Sequence, residues 1–435
     1  MTQAPARSAL PPFSLTGWPT ERLADPYPVY RRYREEAPVH RAAPAPGPPD
    51  APATFYVLGH DEVAAVLSGT AYGRSARRAA TATTRPPELV PEDRPTLRAM
   101  VQNWLVFLDP PRHTELRSVL NREFSPGVVT RLRGRIRTIA ADLLADLGRE
   151  ARRDGSTDLV RAFAAPFPIL VISELLGVPP EDWPWLRDQA VAVQQASSSR
   201  VGQCPAAHQI ADRAARQLTD YFLDLAARRR AAPGPDLVSL LVSAQTRGAP
   251  LNDTETVATC VHLMTAGHET TTNTLAKAVL TLGARPAAWA ALRERPLVPL
   301  PAVDELIRFD PPVQTVTRWA YQEATLGGLD VPRGSRLVAV LGAANRDPAR
   351  FPEPDALLLD RRGRNLGFGL GIHYCLGANL ARTEIEIGLG LLLSALDDLG
   401  GLRGPDGSGA LTVTDVAYPD DLVFHGPSRL RLRLG

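Results

Sequence analysis

The chain has 435 residues, of which 44% are hydrophobic and 22% are charged, a balance typical of a globular protein with a large core. Its formal net charge of +2 excludes the overall basic field that drives binding to nucleic acids or membrane surfaces, so we expect neither partner. No stretch of the sequence reaches the ~18–20 apolar residues that a membrane-spanning helix needs.

The cysteines indicate the compartment. Cys204, Cys260 and Cys375 are odd in number and lie far apart, so a disulfide framework is not expected. The N-terminal residues also lack the layout of a signal peptide. Both features predict a cytoplasmic protein in a reducing environment.

In chain order, the composition predicts a mainly α protein with a minor β region. Residues 1–25 are rich in proline and alanine and are expected to be irregular, and residues 26–435 are expected to form one domain. A helix is predicted over 27–36, a strand over 54–59, and a long surface loop over roughly 70–110. The pattern is mostly helical from Pro111 onward, with short β-like runs at 313–341 and 411–434.

The helix predicted over 253–282 has an unusual interior. Asn252 and Glu255 form a capping-box pattern at its start, and Gly283 with Pro286 supplies stop signals at its end. Gly267 and the run from Thr270 to Thr274 together cost on the order of 3 kcal/mol in helix propensity. Either the helix carries a functional groove there, or the threonines only pack and bond back to carbonyls one turn earlier.

A glycine-rich segment around Cys375 is the second unusual feature. Residues 367–383 read GFGLGIHYCLGANLART, with three glycines before the cysteine and a helix-forming run after it. A cysteine at a helix N-terminus favours a thiolate that can bind a metal, and glycines permit close approach of a flat ligand. The alternatives are a dinucleotide loop, a zinc site with His373, and a plain buried cysteine. No strand is predicted before the glycines, and no second Cys/His pair stands at a suitable spacing for zinc.

The segment FGLGIHYCLG resembles the haem-binding signature FGxGxHxCxG of the cytochrome P-450 family at every defining position. Further segments are similar to that family in the same order along the chain: DPPRHTELR (109–117), AGHETT (266–271), ELIR (305–308) and GAANRDP (342–348). Two positions depart from the family pattern. Ala356 replaces a usual arginine, which leaves Arg361 or Arg362 as the third partner of the Glu305–Arg308 pair, and Asn365 stands where a histidine is common.

The resemblance implies a fold and a set of site residues. It implies haem b held between the long central helix and the helix after the cysteine loop, with Cys375 as the thiolate ligand of the iron. Glu269 and Thr270 would deliver protons on the oxygen side, and the small Ala266 would leave room for dioxygen. Glu305 and Arg308 would support the cysteine loop. The other residues implied to contact the haem are His113, Arg117, Arg318, Phe368, Gly369, His373 and Gly377.

The implied activity is oxidation, typically hydroxylation, of a small organic molecule of specialised metabolism by O₂ and two electrons. Alternatives that keep the haem are radical coupling, ring closure or nitration, and a non-enzyme alternative is a gas sensor or carrier. No flavin or nicotinamide segment is found, so the resemblance implies a ferredoxin and its reductase as electron donors. A docking patch could comprise Arg112, Arg122, Arg364 and Arg382, and the chain is expected to be a monomer.

The substrate pocket is expected, by analogy with the family, to be lined by the loop 70–108, by Val313–Val316 and by residues near 411–427. Trp104 and Val316 are apolar side chains that either contact the substrate or belong to the core.

Overall fold

The computed structural model describes residues 10–44, 51–84, 90–121, 124, 126–195, 205–249, 251–295, 297–400 and 412–433. With 58% helix and 11% strand, it confirms the mainly α class that the sequence predicts. The helices in this part of the chain are α1 (Thr20–Ala24), α2 (Tyr27–Glu36), α3 (His60–Ser68), α4 (Ala76–Ala79), α5 (Pro95–Gln102), α6 (Arg112–Asn121), α7 (Pro126–Asp154), α8 (Pro166–Leu176), α9 (Trp183–Gln195), α10 (Pro205–Ala231), α11 (Leu237–Thr246), α12 (Asp253–Gly283), α13 (Pro286–Arg293), α14 (Leu300–Phe309), α15 (Leu341–Ala344) and α16 (Ala378–Asp398).

The strands form three small sheets. They are β1 (Val39–Arg41), β2 (Thr54–Val57), β3 (Tyr72–Gly73), β4 (Ser156–Asp158), β5 (Thr315–Ala320), β6 (Ala324–Leu326), β7 (Leu329–Val331), β8 (Arg336–Val340), β9 (Thr412–Ala417) and β10 (Arg429–Arg433). The largest sheet has the order β1-β2-β8-β5-β3, in which only β2 and β8 run parallel. The others have the orders β4-β10-β9 and β6-β7.

The long helix α12 crosses the centre of the protein and packs against α5, α8, α10 and α16. It begins with the predicted capping box: the Asn252 side chain accepts from the Glu255 backbone N–H at 2.9 Å, and the Glu255 carboxylate accepts from the Asn252 N–H at 3.0 Å. Such a reciprocal pair satisfies two of the N–H groups that a helix start leaves free. The helix ends at Gly283, and α13 begins at Pro286, as the stop signals predict.

Most of the predicted elements are present, and two regions differ from expectation. Helix α2 has the predicted bounds, and the predicted strand at 54–59 is β2. The expectation of a surface loop over 70–110 is wrong for α5, which buries Leu97, Met100 and Val101. Their i, i+3, i+4 spacing is the helical signal that the surrounding prolines and arginines obscure in the sequence. Residues 10–25, expected to be irregular, contain the short helix α1.

The buried apolar side chains of the described residues form three clusters. The largest is built mainly from the helices, α12 and α16 among them, and the second lies under the five-stranded sheet. The third joins Phe13 to the tyrosines of α2. Among the helices of the described residues, none combines the length and the hydropathy that a membrane span requires.

Candidate active site

A cavity of about 1250 Å³ lies between α12 and the loop that carries Cys375. This volume exceeds the roughly 300–1,000 Å³ typical of a pocket for one drug-sized ligand. One wall is formed by α12 and includes Ala266, Gly267 and Thr270, and the facing wall is formed by the cysteine loop and the start of α16. The sequence-predicted residues that line it are Arg117, Ala266, Thr270, Arg318, Phe368, Gly369, His373, Cys375 and Gly377.

The cysteine loop is folded tightly around its own backbone. The Cys375 N–H donates to the Phe368 carbonyl at 2.9 Å, and the Gly377 N–H hydrogen-bonds to the Cys375 sulfur. Gly371 has a φ of 72°, and a Cβ there would approach the Leu67 carbonyl oxygen to 2.6 Å, so a side chain is excluded. Burial raises the pKa of the Cys375 thiol, and the Gly377 N–H and the arginines Arg117 and Arg382 act in the opposite direction.

A buried network of ion pairs and hydrogen bonds supports the start of the cysteine loop. The Arg308 guanidinium binds the Glu305 carboxylate through two nitrogens, at 2.6 and 2.8 Å, and both side chains are 1% exposed. Arg308 also donates to the Asn345 carbonyl, and the Asn345 side chain accepts from the Leu366 N–H at the start of the loop. The third partner that the sequence leaves open is Arg361, whose Nε lies 3.1 Å from Glu305.

The two departures from the family pattern are accommodated by the backbone. The Ala356 carbonyl accepts a hydrogen bond from Arg308 at 3.1 Å. The backbone at this position therefore still contacts the Glu305–Arg308 pair, although the alanine side chain has no group that could. Asn365 donates to the Asp304 carbonyl and accepts from the Gly367 N–H at 2.8 Å, which fixes the first glycine of the loop.

Cationic and imidazole groups converge at one edge of the cavity. The His113 and His373 ring centroids are 4.4 Å apart, and neither ring nitrogen of the buried His113 has a hydrogen-bond partner among the described residues. Burial, followed by the nearby Arg318, lowers the pKa of His373 to about 2. Arg117 donates to the Tyr374 carbonyl at 2.5 Å. Unpaired buried donors beside excess positive charge indicate a site for carboxylates.

The α12 wall carries hydroxyl groups that bear on the two alternatives left open by the sequence. The hydroxyls of Thr270, Thr272 and Thr274 donate to carbonyls one turn earlier, at 2.8–3.0 Å, as the packing interpretation expects. Yet Thr270, Thr271 and Thr274 also line the cavity beside the small residues Ala266 and Gly267. The bonding pattern and the groove therefore coexist, and the threonines remain helical while presenting oxygens to the cavity.

Glu269, next to Thr270 on α12, is not among the residues that line the cavity. Its carboxylate accepts a hydrogen bond from the Gln194 side chain of α9. Gln194 is 7% exposed and itself lines the cavity. Glu269 thus reaches the cavity through a side chain 75 positions earlier in the sequence, a contact that no local pattern indicates.

Glu384 is a site residue that the sequence analysis missed. It is buried on α16, lines the cavity, and accepts a hydrogen bond from the Thr271 hydroxyl at 3.1 Å. Burial raises the pKa of Glu384 to about 8, and the bond from Thr271 lowers it in part. A signal was present: Leu380, Glu384 and Gly388 follow one another at i+4 spacing on the apolar face of the helix, where a carboxylate is out of place.

The pocket-lining segments agree in part with expectation. Trp104 lines the cavity and is also 4% exposed in the main core, and its ring stacks on that of His262 on α12 at 5.3 Å. Val313 and Val316 line the cavity, as do Pro419 to Phe424. Residue 411 and part of the 70–108 segment lie outside the described residues.

The geometry fits a haem better than the competing ligands. The cavity places the Cys375 sulfur on one wall, the α12 groove on the other, and the unpaired histidines at the edge where two propionates would lie. No cluster of three His, Cys, Asp or Glu side chains suited to a metal ion is found in the described part of the chain, so the zinc alternative is not supported. Between the end of β8 and Gly367, a stretch that the structure describes throughout, there is no strand. A dinucleotide-binding loop follows directly after a strand, so this alternative is not supported either.

Comparisons with known proteins agree with this geometry. Residues 204–397 match the family model described as Cytochrome P450. The chain is 34% identical to the cytochrome P450 monooxygenase PikC of Streptomyces venezuelae over 401 residues, which cover 92% of this chain and 90% of the relative. It also superimposes on the crystal structure of CalO2 with a TM-score of 0.82 and 31% identity, covering 98% of this chain and 99% of that one.

A further structural neighbour is the P450 enzyme CxnD, described as acting in C–S bond formation in chuangxinmycin biosynthesis, with a TM-score of 0.76, 29% identity and 96% of both chains covered. Haem b is the cofactor of the family, and the curated relatives include monooxygenases of polyketide and other secondary metabolism. Relatives above 30% identity cover nearly the whole chain. The chain therefore belongs to the cytochrome P450 family and is a haem-dependent monooxygenase that acts on a small organic molecule.

Proposed function

We propose that this chain oxidises a small molecule of specialised metabolism at the cavity between α12 and the cysteine loop, with Cys375 as the thiolate ligand of haem b. The observation that carries the proposal is the position of the Cys375 sulfur on the wall facing Thr270. When bound there, the haem supplies oxygen binding and thiolate-assisted O–O cleavage. A coordinating metal ion deprotonates a thiol outright, which would overcome the raised pKa of Cys375.

The residues of the α12 wall would hold and move protons. Thr270 presents its hydroxyl to the cavity, and Glu269 is connected to the same space through Gln194. Because burial raises the pKa of Glu384 to about 8, this carboxyl carries a proton at neutral pH. The Thr271 hydroxyl connects it to α12. The cavity thus has two candidate proton routes, one through Glu269 and one through Glu384.

We further propose that His113, Arg117, Arg318 and His373 bind the propionates. The two histidines have ring nitrogens without a hydrogen-bond partner among the described residues, and the two arginines line the cavity. Phe368, Gly369 and Gly377 would contact the haem from the cysteine side, and Ala266 from the α12 side. Glu305 and Arg308 would keep the cysteine loop in place without touching the haem.

Electrons would come from a ferredoxin and its reductase. Two of the four proposed docking arginines suit this role: Arg364 is exposed over the Tyr374 ring, and Arg382 lies beside the loop with its ion pair to Asp304. Arg112 is instead held by Glu115 and Glu255, and Arg122 lies outside the described residues. Reversing the charge of Arg364 and Arg382 should slow reduction of the haem by ferredoxin. An unchanged rate of electron transfer would contradict a docking role for these two arginines.

A second outcome at the same site is bond formation instead of hydroxylation. The structural neighbour CxnD, described as forming a C–S bond, favours keeping this candidate. The gas-sensor alternative is not retained, because the named relatives are monooxygenases. Cytoplasmic location, a monomeric state and one domain over 26–435 stay predictions.

The test combines a spectrum with turnover. Wild-type protein loaded with haem should show the reduced carbon-monoxide absorption of a thiolate complex, and Cys375→Ser should lose it. Turnover with NAD(P)H, ferredoxin, reductase and candidate substrates then separates oxygen insertion from coupling by product mass. An unchanged absorption in the Cys375→Ser variant would contradict the proposed ligand.

A further inference from the structure

Two arginines at the cavity edge share one backbone acceptor. Nη1 of Arg74 and Nη1 of Arg318 both donate to the carbonyl oxygen of Thr317, the latter at 3.0 Å. Both side chains line the cavity. Two donors within hydrogen-bond distance of the same oxygen bring two positive guanidinium groups side by side, although the residues are 244 positions apart in the sequence (318 minus 74).

Arg74 is held in this position by several contacts. Its Nε donates to the Val106 carbonyl at 2.7 Å, and its guanidinium lies 5.0 Å from the centre of the Phe107 ring. Its backbone N–H donates to Asp109 at 3.0 Å. With Nε and Nη1 bound to carbonyls, Nη2 is the nitrogen of the guanidinium that makes no hydrogen bond to another described residue. The donor that remains is fixed in place beside the cavity.

The charge around the pair is not balanced by the protein. Asp109 is the nearby carboxylate, and its single negative charge faces two guanidinium groups. Its oxygens accept from the backbone N–H groups of Arg74 and Ser75 and from the Tyr321 hydroxyl. Burial and the neighbouring Arg318 lower the pKa of Arg74 to about 9, and burial lowers that of Arg318 to about 10. Charged side chains that are shielded from water are normally paired, so an anion bound beside Arg74 and Arg318 would balance the charge that Asp109 leaves over.

We propose that Arg74 and Arg318 form a carboxylate clamp at the cavity edge, with Arg74 as a binding residue that the family resemblance does not supply. A planar guanidinium binds a carboxylate through parallel N–H groups, and two of them beside one carbonyl leave donors for both carboxylate oxygens. This inference rests on the proposed haem site. The carboxylate has two possible sources, a haem propionate or an acidic substrate.

The net charge of the side chains around the clamp helps to distinguish the two possible sources of the carboxylate. Arg74, Arg117 and Arg318 carry three positive charges against one on Asp109, and two propionates would bring the sum of this group to zero. An acidic substrate bound in addition to both propionates would leave it negative by one charge. Both sources nevertheless present the same chemical group to the clamp, and the experiment is built to separate them.

The first arm measures haem dissociation. Holoenzymes of wild type, Arg74→Gln and the matched control Arg77→Gln, an exposed arginine of α4, are mixed with excess apomyoglobin, and haem transfer is followed spectroscopically. The measurement is repeated with haem dimethyl ester. We expect Arg74→Gln to lose haem about tenfold faster, equivalent to ~1.4 kcal/mol, and Arg77→Gln to match wild type. With the diester, the difference in transfer rate between wild type and Arg74→Gln should vanish. A purely structural role of Arg74 would instead change the transfer rates of haem and of its diester alike.

The second arm measures binding of an acid to the holoenzyme. Calorimetric titration with 4-phenylbutyrate and with its methyl ester should show a loss of acid affinity in Arg74→Gln if a substrate carboxylate is the source. Arg74→Lys keeps the positive charge and should recover part of whichever effect is found. If Arg74→Gln equals Arg77→Gln in both arms, the clamp is overturned, while an intact thiolate spectrum in the same samples leaves the proposed function standing.

Discussion

The two walls of the cavity are built on different principles. The cysteine loop is closed mainly by bonds within itself, such as that from the Cys375 N–H to the Phe368 carbonyl. The Glu305–Arg308 pair, which is linked to the loop through Asn345, is spaced three residues apart on one helix. The α12 wall depends on distant partners, because Glu269 is bound by Gln194 and Thr271 binds Glu384, 113 positions away. The difference teaches that the residues around the Cys375 sulfur can be recognised from short motifs, whereas the polar groups of the α12 wall are brought together by packing.

Removing the charge of Glu305 should break the cysteine wall and have the largest effect. In Glu305→Gln, Arg308 stays buried without its partner, and loss of one member of a buried pair typically costs 3–5 kcal/mol. The neighbouring Asp304→Asn provides a matched control, since its ion pair with Arg382 is partly exposed and should cost under ~1 kcal/mol. Denaturant unfolding of the holoenzymes measures both values. Equal losses in the two variants would show that the buried network does not support the loop.

The α12 wall should respond to pH through Glu384. Since its folded pKa is raised to about 8 from an ordinary value of 4.5, the folded state binds the proton more tightly than the unfolded state. This contribution to stability is fully present below pH ~4.5 and is lost as the pH rises through ~8.

Glu384→Gln cannot lose that proton, so its free energy of unfolding should exceed that of wild type increasingly from pH 5 to pH 8. The difference between these pH values should be a few kcal/mol, because each pKa unit corresponds to about 1.4 kcal/mol. In Thr271→Val the window should move to higher pH, because the Thr271 bond lowers the pKa of Glu384. Parallel pH profiles for wild type and Glu384→Gln would contradict the assignment.

A smaller effect should distinguish threonines within the α12 wall. Thr270 and Thr272 both donate to carbonyls one turn earlier, but only Thr270 lines the cavity. Thr270→Ala should therefore lower the yield of product per NAD(P)H by at least about tenfold, since a positioned proton-transfer group typically contributes ~10²–10⁴-fold to a rate. Thr272→Ala should leave the yield unchanged. Product and peroxide formation per NAD(P)H measure this, and equal yields in both variants would favour the packing role alone.

The features that can be predicted from the sequence are those set by residues close together along the chain. The bounds of α2, the capping box of α12 and the glycine bends before Cys375 are set by residues within a few positions of one another, so they are legible without a structure. Helix α5 was missed because three buried positions carry its signal amid prolines and arginines. The sequence does not single out Arg361 as the third partner of the ion pair, since the adjacent Arg362 is an equal candidate until the structure places Arg361 beside Glu305.

By itself the sequence determined the class of fold, the cysteine that faces the cavity and the family, because a sharp glycine bend and a helix start are properties of short segments. Only the tertiary structure decided which groups meet Glu269, Thr271 and Arg318: Gln194, Glu384 and Arg74 come from elements far away along the chain. The physical reason is that hydrogen bonds and ion pairs depend on distances of a few ångströms in space. Such distances between remote segments arise from packing of the whole core.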